Sequence, residues 1–168
     1  MRTLYLLRHA KSSWKDESQQ DFERPLAGRG RKACGVMARL IQTEGMEFDL
    51  LLSSTAVRAR ETIDLIRQQA KLRSELRYDE RIYDAPVSRL IQVISEVEND
   101  RKVILLIGHN PGMEELIQTL TGQVERMPTA ALAKIKLKTS KWSEVGETDG
   151  TLEWIERPKK LEDDAADA

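Results

Sequence analysis

Two kinds of hydrophobic pattern alternate along this chain. Short apolar runs predict buried strands, and they cover residues 3–7, 49–53, 76–78 and 103–107. Stretches in which apolar residues recur every three or four positions predict amphipathic helices, and they cover residues 28–44, 55–70, 87–97 and 111–121. Strands that alternate with helices are typical of a sheet that is buried on both faces. The pattern therefore predicts an α/β fold, a three-layer α/β/α sandwich with a mostly parallel central sheet.

The last part of the chain has a different pattern. From Ala131 to Lys138, apolar residues alternate with lysines, and we expect an exposed or edge strand there. A short strand at residues 151–155 is expected to pair with it and to give the sheet an antiparallel edge. The acidic segment 161–168 predicts a tail that frays in solvent. We expect residues 1–160 to form a single domain.

Polar residues and a glycine mark the ends of two predicted helices. Ser54 or Thr55 can cap the helix after the second strand, because their hydroxyl groups accept backbone N–H groups. After the fourth strand, Asn110 suits the N-cap and Pro111 the first helical position, where a missing N–H has little effect. Gly122 follows the last apolar position of that helix, as expected of a C-terminal cap.

The composition narrows the classes of function. With 40% apolar and 33% charged residues, the chain resembles ordinary soluble proteins. Its 27 basic and 28 acidic residues give a net charge of -1, so we expect no nucleic-acid partner. No apolar run approaches the ~20 residues of a bilayer span, and the first residues lack a signal-peptide pattern. We therefore expect no membrane association and a cytoplasmic location. Cys34, the only cysteine, is interpreted as a helix residue in a reducing compartment.

Both histidines of the chain follow predicted strands. His9 comes directly after the first apolar run, with Arg8 beside it, and His109 follows the run at residues 103–107. Ligands of parallel sheets bind beyond the carboxyl ends of the strands, where both histidines are expected. Two core histidines with satisfied hydrogen bonds are the alternative. We favour one shared site, because the two residues occupy equivalent positions.

The charges expected around this site favour an anion. Arg8 adjoins His9, Arg58 falls in the first turn of the helix after the second strand, and the helix after His109 points its N-terminus to the same edge. Guanidinium groups bind phosphate oxygens bidentately, so phosphate is the expected ligand. A metal site is the weaker alternative, because a cation would lie beside permanent positive charges and a third zinc ligand is not at a suitable spacing. We expect neither a metal nor a nucleotide cofactor.

Weaker candidates surround these residues. Phosphate or substrate contacts are considered for four residues near the strand ends, namely Lys11, Ser12, Ser53 and Asn110. Glu80, in a loop expected to approach the site, is a candidate general acid and equally a solvated carboxylate. The long polar loop from Lys11 to Glu23 is interpreted as a lid or binding segment, with a solvated connection as the alternative.

An ordered set of motifs resembles the histidine phosphatase superfamily, which includes phosphoglycerate mutases and small phosphohistidine phosphatases of the SixA type. The motifs are Leu6-Leu7-Arg8-His9-Ala10, Arg24-Pro25-Leu26 with Gly30, Ser53-Ser54 with Arg58-Ala59 and Glu61-Thr62, Asp79-Glu80-Arg81-Ile82-Tyr83, and Gly108-His109-Asn110-Pro111. The Arg-His pair alone is a weak signal, whereas the whole set, in the family's order over residues 4–112, is a strong one.

The resemblance implies a role for each matched residue. His9 would be the nucleophile that takes the phosphoryl group, Arg8 and Arg58 would hold its oxygens, and His109 would donate to the transition state. Ala10 replaces the family's usual glycine, which argues mildly against a mutase. Glu80 has the position of the mutases' general acid, and its role stays open because a leaving imidazole needs less help than an alkoxide.

The resemblance also implies a function. We expect a metal-independent phosphatase that hydrolyses phosphohistidine on proteins, such as a histidine phosphotransfer domain or a sensor kinase in signal transduction, through a phosphohistidine enzyme intermediate. The short connections after Ser54 and Tyr83 suit a protein-borne phosphoryl group. The alternatives are hydrolysis of small phosphorylated metabolites, a mutase reaction, and a phosphate-binding module without turnover.

Overall fold

The computed structural model describes residues 1–166 of the chain. The strands are β1 (Arg2–Arg8), β2 (Leu50–Ser53), β3 (Glu75–Tyr78), β4 (Val103–Gly108), β5 (Leu132–Leu137) and β6 (Gly150–Glu156). The helices are α1 (Gly28–Thr43), α2 (Val57–Ala70), α3 (Val87–Ser95), α4 (Gly112–Thr121) and α5 (Pro158–Ala166). Short 3-10 turns lie in three connections, at Asp21–Glu23, Glu80–Ile82 and Trp142–Glu144.

The strands form one mixed sheet in the order β3-β2-β4-β1-β5-β6. The parallel pairs are β3 with β2, β2 with β4, and β4 with β1. Strand β5 pairs antiparallel with β1 and with β6. The predicted α/β fold with a mostly parallel sheet and an antiparallel edge is confirmed. Strands β1 and β4 lie side by side at the centre, so their carboxyl ends meet.

Apolar side chains cover both faces of this sheet. On β1, Leu4 and Leu6 lie in the core cluster that includes residues of α3 and α4. The alternate residues Tyr5 and Leu7 lie in the cluster that includes residues of α1 and α2. Because successive side chains of a strand point to opposite faces, a strand buried on both faces needs a continuous apolar run. This explains the pattern that begins the chain.

The edge position expected for residues 131–138 belongs instead to β6, because β5 lies between β1 and β6. The lysines of β5 lie over the neighbouring strand β1. The ammonium group of Lys134 is 5.7 Å from the centre of the Tyr5 ring, and Lys136 Nζ donates to Thr3 Oγ1 at 3.1 Å. Long lysine stems can cover a neighbouring strand while their charged ends stay near water, so alternation with lysine did not mark an edge.

The start of α2 differs from the prediction. The helix begins at Val57, and neither Ser54 nor Thr55 caps it. The Ser54 hydroxyl accepts the N–H of Ala56 at 3.2 Å, within the turn that leads into the helix. Residue 54 therefore shapes the connection, and its hydroxyl is also used by the site described below.

The start of α4 lies one residue later than predicted, at Gly112 rather than Pro111. The Asn110 side chain nevertheless accepts the N–H of Glu114 at 3.3 Å, so it serves the first turn of the helix. The predicted C-terminal cap at Gly122 is confirmed, since this residue has φ +75° and follows the last helical residue.

The acidic C-terminal segment 161–168, expected to fray in solvent, is helical over its described part. Residues 161–166 continue helix α5, and Leu161 packs against the core cluster beside α1 and α2. This contact gives the segment an apolar anchor that its acidic composition concealed. Residues 167 and 168 lie outside the described part. Across residues 1–166, none of the helices is long and apolar enough to cross a membrane.

Candidate active site

The two histidines meet at the carboxyl ends of the central strands. His9 follows β1 and His109 follows β4, and the register pairs Arg8 with Gly108 directly before them. Their ring centres lie 5.0 Å apart, and each residue is only 7% exposed. The parallel pairing of β1 with β4 therefore builds the pair.

The orientation of the His9 ring is set by its own backbone. His9 Nδ1 lies 2.8 Å from the carbonyl oxygen of Ala10. A carbonyl can only accept, so Nδ1 carries the proton and Nε2 keeps its lone pair. Arg58 Nε donates to this Nε2 at 3.4 Å. The Ala10 N–H donates to Thr62 Oγ1 at 3.0 Å, which ties this backbone to α2. The result is an unprotonated imidazole nitrogen whose lone pair accepts a hydrogen bond from a guanidinium.

Both imidazoles are held in the neutral form. Burial lowers the pKa of His9 from 6.5 to about 4, and the neighbouring charges of Arg58 and Arg8 act in the same direction. Burial lowers the pKa of His109 to about 3, and the positive charges of Arg58 and of His9 in its protonated form act in the same direction. At neutral pH, His9 therefore has the unprotonated nitrogen that a histidine nucleophile requires.

These lowered pKa values predict a loss of stability in acid. Between pH 6.5 and about pH 4 the unfolded chain binds protons at residue 9 that the folded chain does not, so stability present above pH 6.5 is lost as the pH falls. From pH 7.5 to pH 5 we expect the free energy of unfolding to fall by about 2 kcal/mol for His9. When unfolding is measured in urea over the same pH range, the free energy of unfolding of His9→Gln should fall by about 2 kcal/mol less than that of the wild type. Equal decreases in both proteins would contradict the prediction.

His109 has one satisfied and one open ring nitrogen. Its Nε2 lies 2.7 Å from Ser54 Oγ, whereas its buried Nδ1 has no hydrogen-bond partner within residues 1–166. The Ser54 hydroxyl already accepts the Ala56 N–H, and donation to His109 Nε2 gives its own hydrogen an acceptor. In this arrangement, Nδ1 carries a proton and is free to donate.

Arg8 is held by a hydrogen-bond network that includes the Met127 backbone. Its Nη1 donates to the carbonyl oxygen of Met127 at 3.1 Å. The same oxygen accepts Asn110 Nδ2 at 2.9 Å, and the Met127 N–H donates to Glu114 Oε2 at 2.8 Å. Arg8 Nε is buried and has no partner among the described residues. A fixed guanidinium with an unused donor can bind an oxyanion.

Arg58 is clamped by Asp21, a residue that the sequence did not single out. Arg58 Nη1 donates to the Asp21 carbonyl at 2.7 Å, and Nη2 donates to Asp21 Oδ2 at 3.0 Å. The Tyr83 hydroxyl donates to the same Oδ2 at 2.6 Å. The Tyr83 and His109 rings also pack in a T-shaped arrangement, with their centres 5.4 Å apart. Arg58, Asp21 and Tyr83 therefore form one polar group beside the histidines.

The loop that carries Asp21 is well anchored. At its base, Ser12 pairs with Leu26 in a short antiparallel bridge. The buried Arg24 donates to the carbonyls of Asp16 and Gln19, and its guanidinium stacks 3.6 Å from the centre of the Trp14 ring. Together with the Asp21 contact to Arg58, these bonds place the predicted binding loop against the histidine pair.

The five weaker candidates do not converge on His9. Ser53 Oγ donates to the carbonyl of Ser54, Ser12 takes part in the bridge through its backbone, and Lys11 lines a surface groove with residues of α1 and α5. Asn110 donates to the Glu114 carboxylate and to the Met127 carbonyl. It therefore helps to position the carbonyl that accepts from Arg8. Glu80 is exposed, and its carboxylate forms no hydrogen bond or ion pair with the described residues.

Sequence reasoning missed the roles of Asp21, Ser54 and Tyr83 at the site. Tyr83 belonged to a recognised motif and Ser54 followed a strand, so both positions carried a signal, although Ser54 was interpreted as a helix cap. Asp21 lies in an aperiodic polar loop, where nothing local distinguishes it from its neighbours. Among residues 1–166, His, Cys, Asp and Glu side chains nowhere gather in a group of three that could hold a metal ion.

The chain is similar to known proteins in sequence and in fold. Residues 4–85 match the sequence model of the family described as histidine phosphatase superfamily (branch 1). An uncharacterised chloroplastic protein of Arabidopsis thaliana is 31% identical over 162 residues, which cover 91% of this chain and 74% of that protein. A candidate phosphohistidine phosphatase SixA from Agrobacterium tumefaciens has a similar structure, with TM-score 0.81, 26% identity and coverage of 94% and 98% of the two chains. The protein histidine phosphatase SixA solved with tungstate, at 22% identity, shares the fold with TM-score 0.82 and coverage of 95% and 99%.

Proposed function

We propose, because this chain belongs to the histidine phosphatase superfamily, that it is a metal-independent phosphatase that removes phosphoryl groups from phosphohistidine on proteins. The observation that carries the proposal is the His9 ring. Its Nδ1 is committed to the Ala10 carbonyl, and its Nε2 faces the Arg58 guanidinium at 3.4 Å. This is the arrangement that a nucleophile for an anionic phosphoryl group requires.

In the first step, the Arg58 N–H turns from His9 Nε2 to the phosphoryl oxygens, and the released lone pair of Nε2 attacks phosphorus. The bond from phosphorus to the substrate nitrogen breaks, its electron pair stays with the leaving imidazole, and that imidazole takes up a proton from solvent water. Arg8 and Arg58 neutralise the charge on the equatorial oxygens, and His109 Nδ1 donates to one of them. The buried site strengthens these charge interactions, because little water competes for the donors.

In the second step, water attacks phosphorus from the side opposite Nε2. The bond between phosphorus and Nε2 breaks, its electron pair returns to His9, and inorganic phosphate leaves. The Nδ1 proton on the Ala10 carbonyl keeps the imidazole in the same tautomer throughout the cycle.

The short connections after β2 and β3 support a protein substrate. Between β2 and α2 there are only residues 54–56, and between β3 and α3 only residues 79–86. Neither connection is long enough to form a large closed cover over a small metabolite. We therefore place the phosphoryl group on a histidine phosphotransfer domain or a sensor kinase. A cytoplasmic location of the enzyme is a further part of the proposal. The Agrobacterium structure named for SixA agrees with this choice.

A substrate comparison tests the proposal. Phosphorylated phosphotransfer domain and a panel of sugar phosphates and other monoesters are offered to the purified chain, with and without a chelator. We expect kcat/KM for the phosphoprotein to exceed that for every monoester by about 100-fold, unchanged by the chelator. A sugar phosphate or other metabolite turned over faster than the phosphoprotein would overturn the assignment in favour of a small-molecule phosphatase or mutase.

A further inference from the structure

Asp21 lies at the site without a role in the two steps above. We propose that its carboxylate accepts the proton of the water that hydrolyses phospho-His9. The proposal rests on the proposed function, since it needs the covalent intermediate. In balanced form, the water oxygen bonds to phosphorus, the bond from phosphorus to Nε2 breaks with its electron pair on His9, and one water proton passes to Asp21.

The position of Asp21 on Arg58 supports this role. His9 and Asp21 bind different nitrogens of one planar guanidinium, His9 at Nε and Asp21 at Nη1 and Nη2. When this guanidinium holds the phosphoryl oxygens, His9 occupies one apical position on phosphorus. The attacking water must occupy the other, roughly in line with the breaking bond. We infer that this second position lies toward the Asp21 end of the guanidinium.

The carboxylate of Asp21 is in the state that a base needs. Its Oδ2 is bound by Tyr83 and Arg58, whereas Oδ1 has no hydrogen bond in the described part of the chain. The Asp21 side chain is 54% exposed, so water reaches it, whereas the Arg58 side chain beside it is only 9% exposed. The hydrogen bond from Tyr83, followed by the bond from Arg58, lowers the pKa of Asp21. Asp21 is therefore ionised before the water arrives.

The fixed loop keeps this carboxylate in place. Asp21 begins a 3-10 turn whose next residue, Phe22, packs edge-on against the Tyr83 ring with centres 5.1 Å apart. Arg24, after the turn, is anchored to two carbonyls of the same loop. Glu80, which has the position of the mutases' general acid in the resemblance, forms no hydrogen bond or ion pair through its carboxylate within residues 1–166. A positioned carboxylate accelerates proton transfer by about 10²-fold or more.

Single-turnover kinetics of Asp21→Asn tests the assignment. The asparagine keeps the backbone carbonyl that binds Arg58 Nη1 and an amide oxygen that can accept from Tyr83, but it cannot take a proton at neutral pH. With phosphorylated phosphotransfer domain as probe, formation of phospho-His9 should stay within about 3-fold of the wild-type rate. Its hydrolysis should slow by about 100-fold, so that phosphoenzyme accumulates in the steady state.

Matched variants separate the other outcomes. Glu23→Gln, in the same turn and exposed, should leave both rates unchanged. Equal slowing of both steps in Asp21→Asn would make Asp21 a positioning residue for Arg58, and faster formation of phosphoenzyme would mean that the carboxylate competes with phosphate. Either result overturns the proposal. Unchanged rates in Asp21→Asn would also overturn it, as would phosphoenzyme that accumulates in Glu80→Gln but not in Asp21→Asn. Absence of any wild-type phosphoenzyme during turnover would instead refute the covalent mechanism itself.

Discussion

Replacement of His9 by glutamine is expected to reduce phosphatase turnover by about 10⁵-fold or more. Glutamine is polar and similar in length, so it can fill the buried position, but its amide nitrogen has no lone pair that can attack phosphorus. Arg8, Arg58 and His109 would remain and could still bind phosphate. The expected result is therefore loss of turnover with retained binding, measured by steady-state kinetics and by titration with inorganic phosphate.

Thermal unfolding at pH 7.5 is the control for His9→Gln. At this pH His9 is neutral in both the folded and the unfolded chain, so removing the titrating group alone does not change stability. Residual activity within 100-fold of the wild type, in a well-folded variant, would show that another group accepts the phosphoryl group.

The second large effect is expected for Arg58→Lys, with a loss of about 10³-fold in kcat/KM. Lysine keeps the positive charge but presents one ammonium group in place of a planar fork. It cannot bind the Asp21 carbonyl, the Asp21 carboxylate and His9 Nε2 at the same time, as Arg58 does. In this variant the phosphoryl group should therefore no longer be held in the correct orientation, although the net charge of the site is unchanged.

Arg60→Lys is the matched control for this variant. Arg60 lies on the same helix, is exposed, and stacks over the Tyr78 ring at 4.5 Å. Its replacement should change kcat/KM by no more than about 2-fold, because exposed stacking contacts contribute little. If Arg58→Lys loses less than tenfold in kcat/KM, the positive charge alone explains the role of Arg58. The claim that its planar guanidinium orients the phosphoryl group would then be wrong.

The fold was predictable because the central strands are buried on both faces. Continuous apolar runs such as Leu4–Leu7 have few other interpretations in a chain of this length, and the helical spacing between them was clear. The same logic located His9 and His109, since residues directly after parallel strands share one edge of the sheet. Their meeting depended only on β1 and β4 being neighbours.

Features that depend on tertiary contacts could not be predicted in this way. Alternating lysines suggested an edge strand for β5, yet Lys134 and Lys136 lie over β1. Ser54 has the chemistry of a helix cap, but its hydroxyl is placed within hydrogen-bonding distance of His109. Asp21 is positioned by a loop whose shape depends on Arg24, and such a loop has no periodicity to reveal it. In each case a distant partner decides what the residue does.

The central claim is that the phosphoryl group is transferred to His9. The direct measurement is acid and alkali treatment of the enzyme, trapped within milliseconds of mixing with labelled phosphotransfer domain, followed by mass spectrometry and phosphorus NMR of the adduct. We predict an adduct that acid destroys and alkali leaves intact, located on Nε2 of His9 and absent from His9→Gln. An adduct on His109 or on a serine, or its persistence in His9→Gln, would contradict the mechanism.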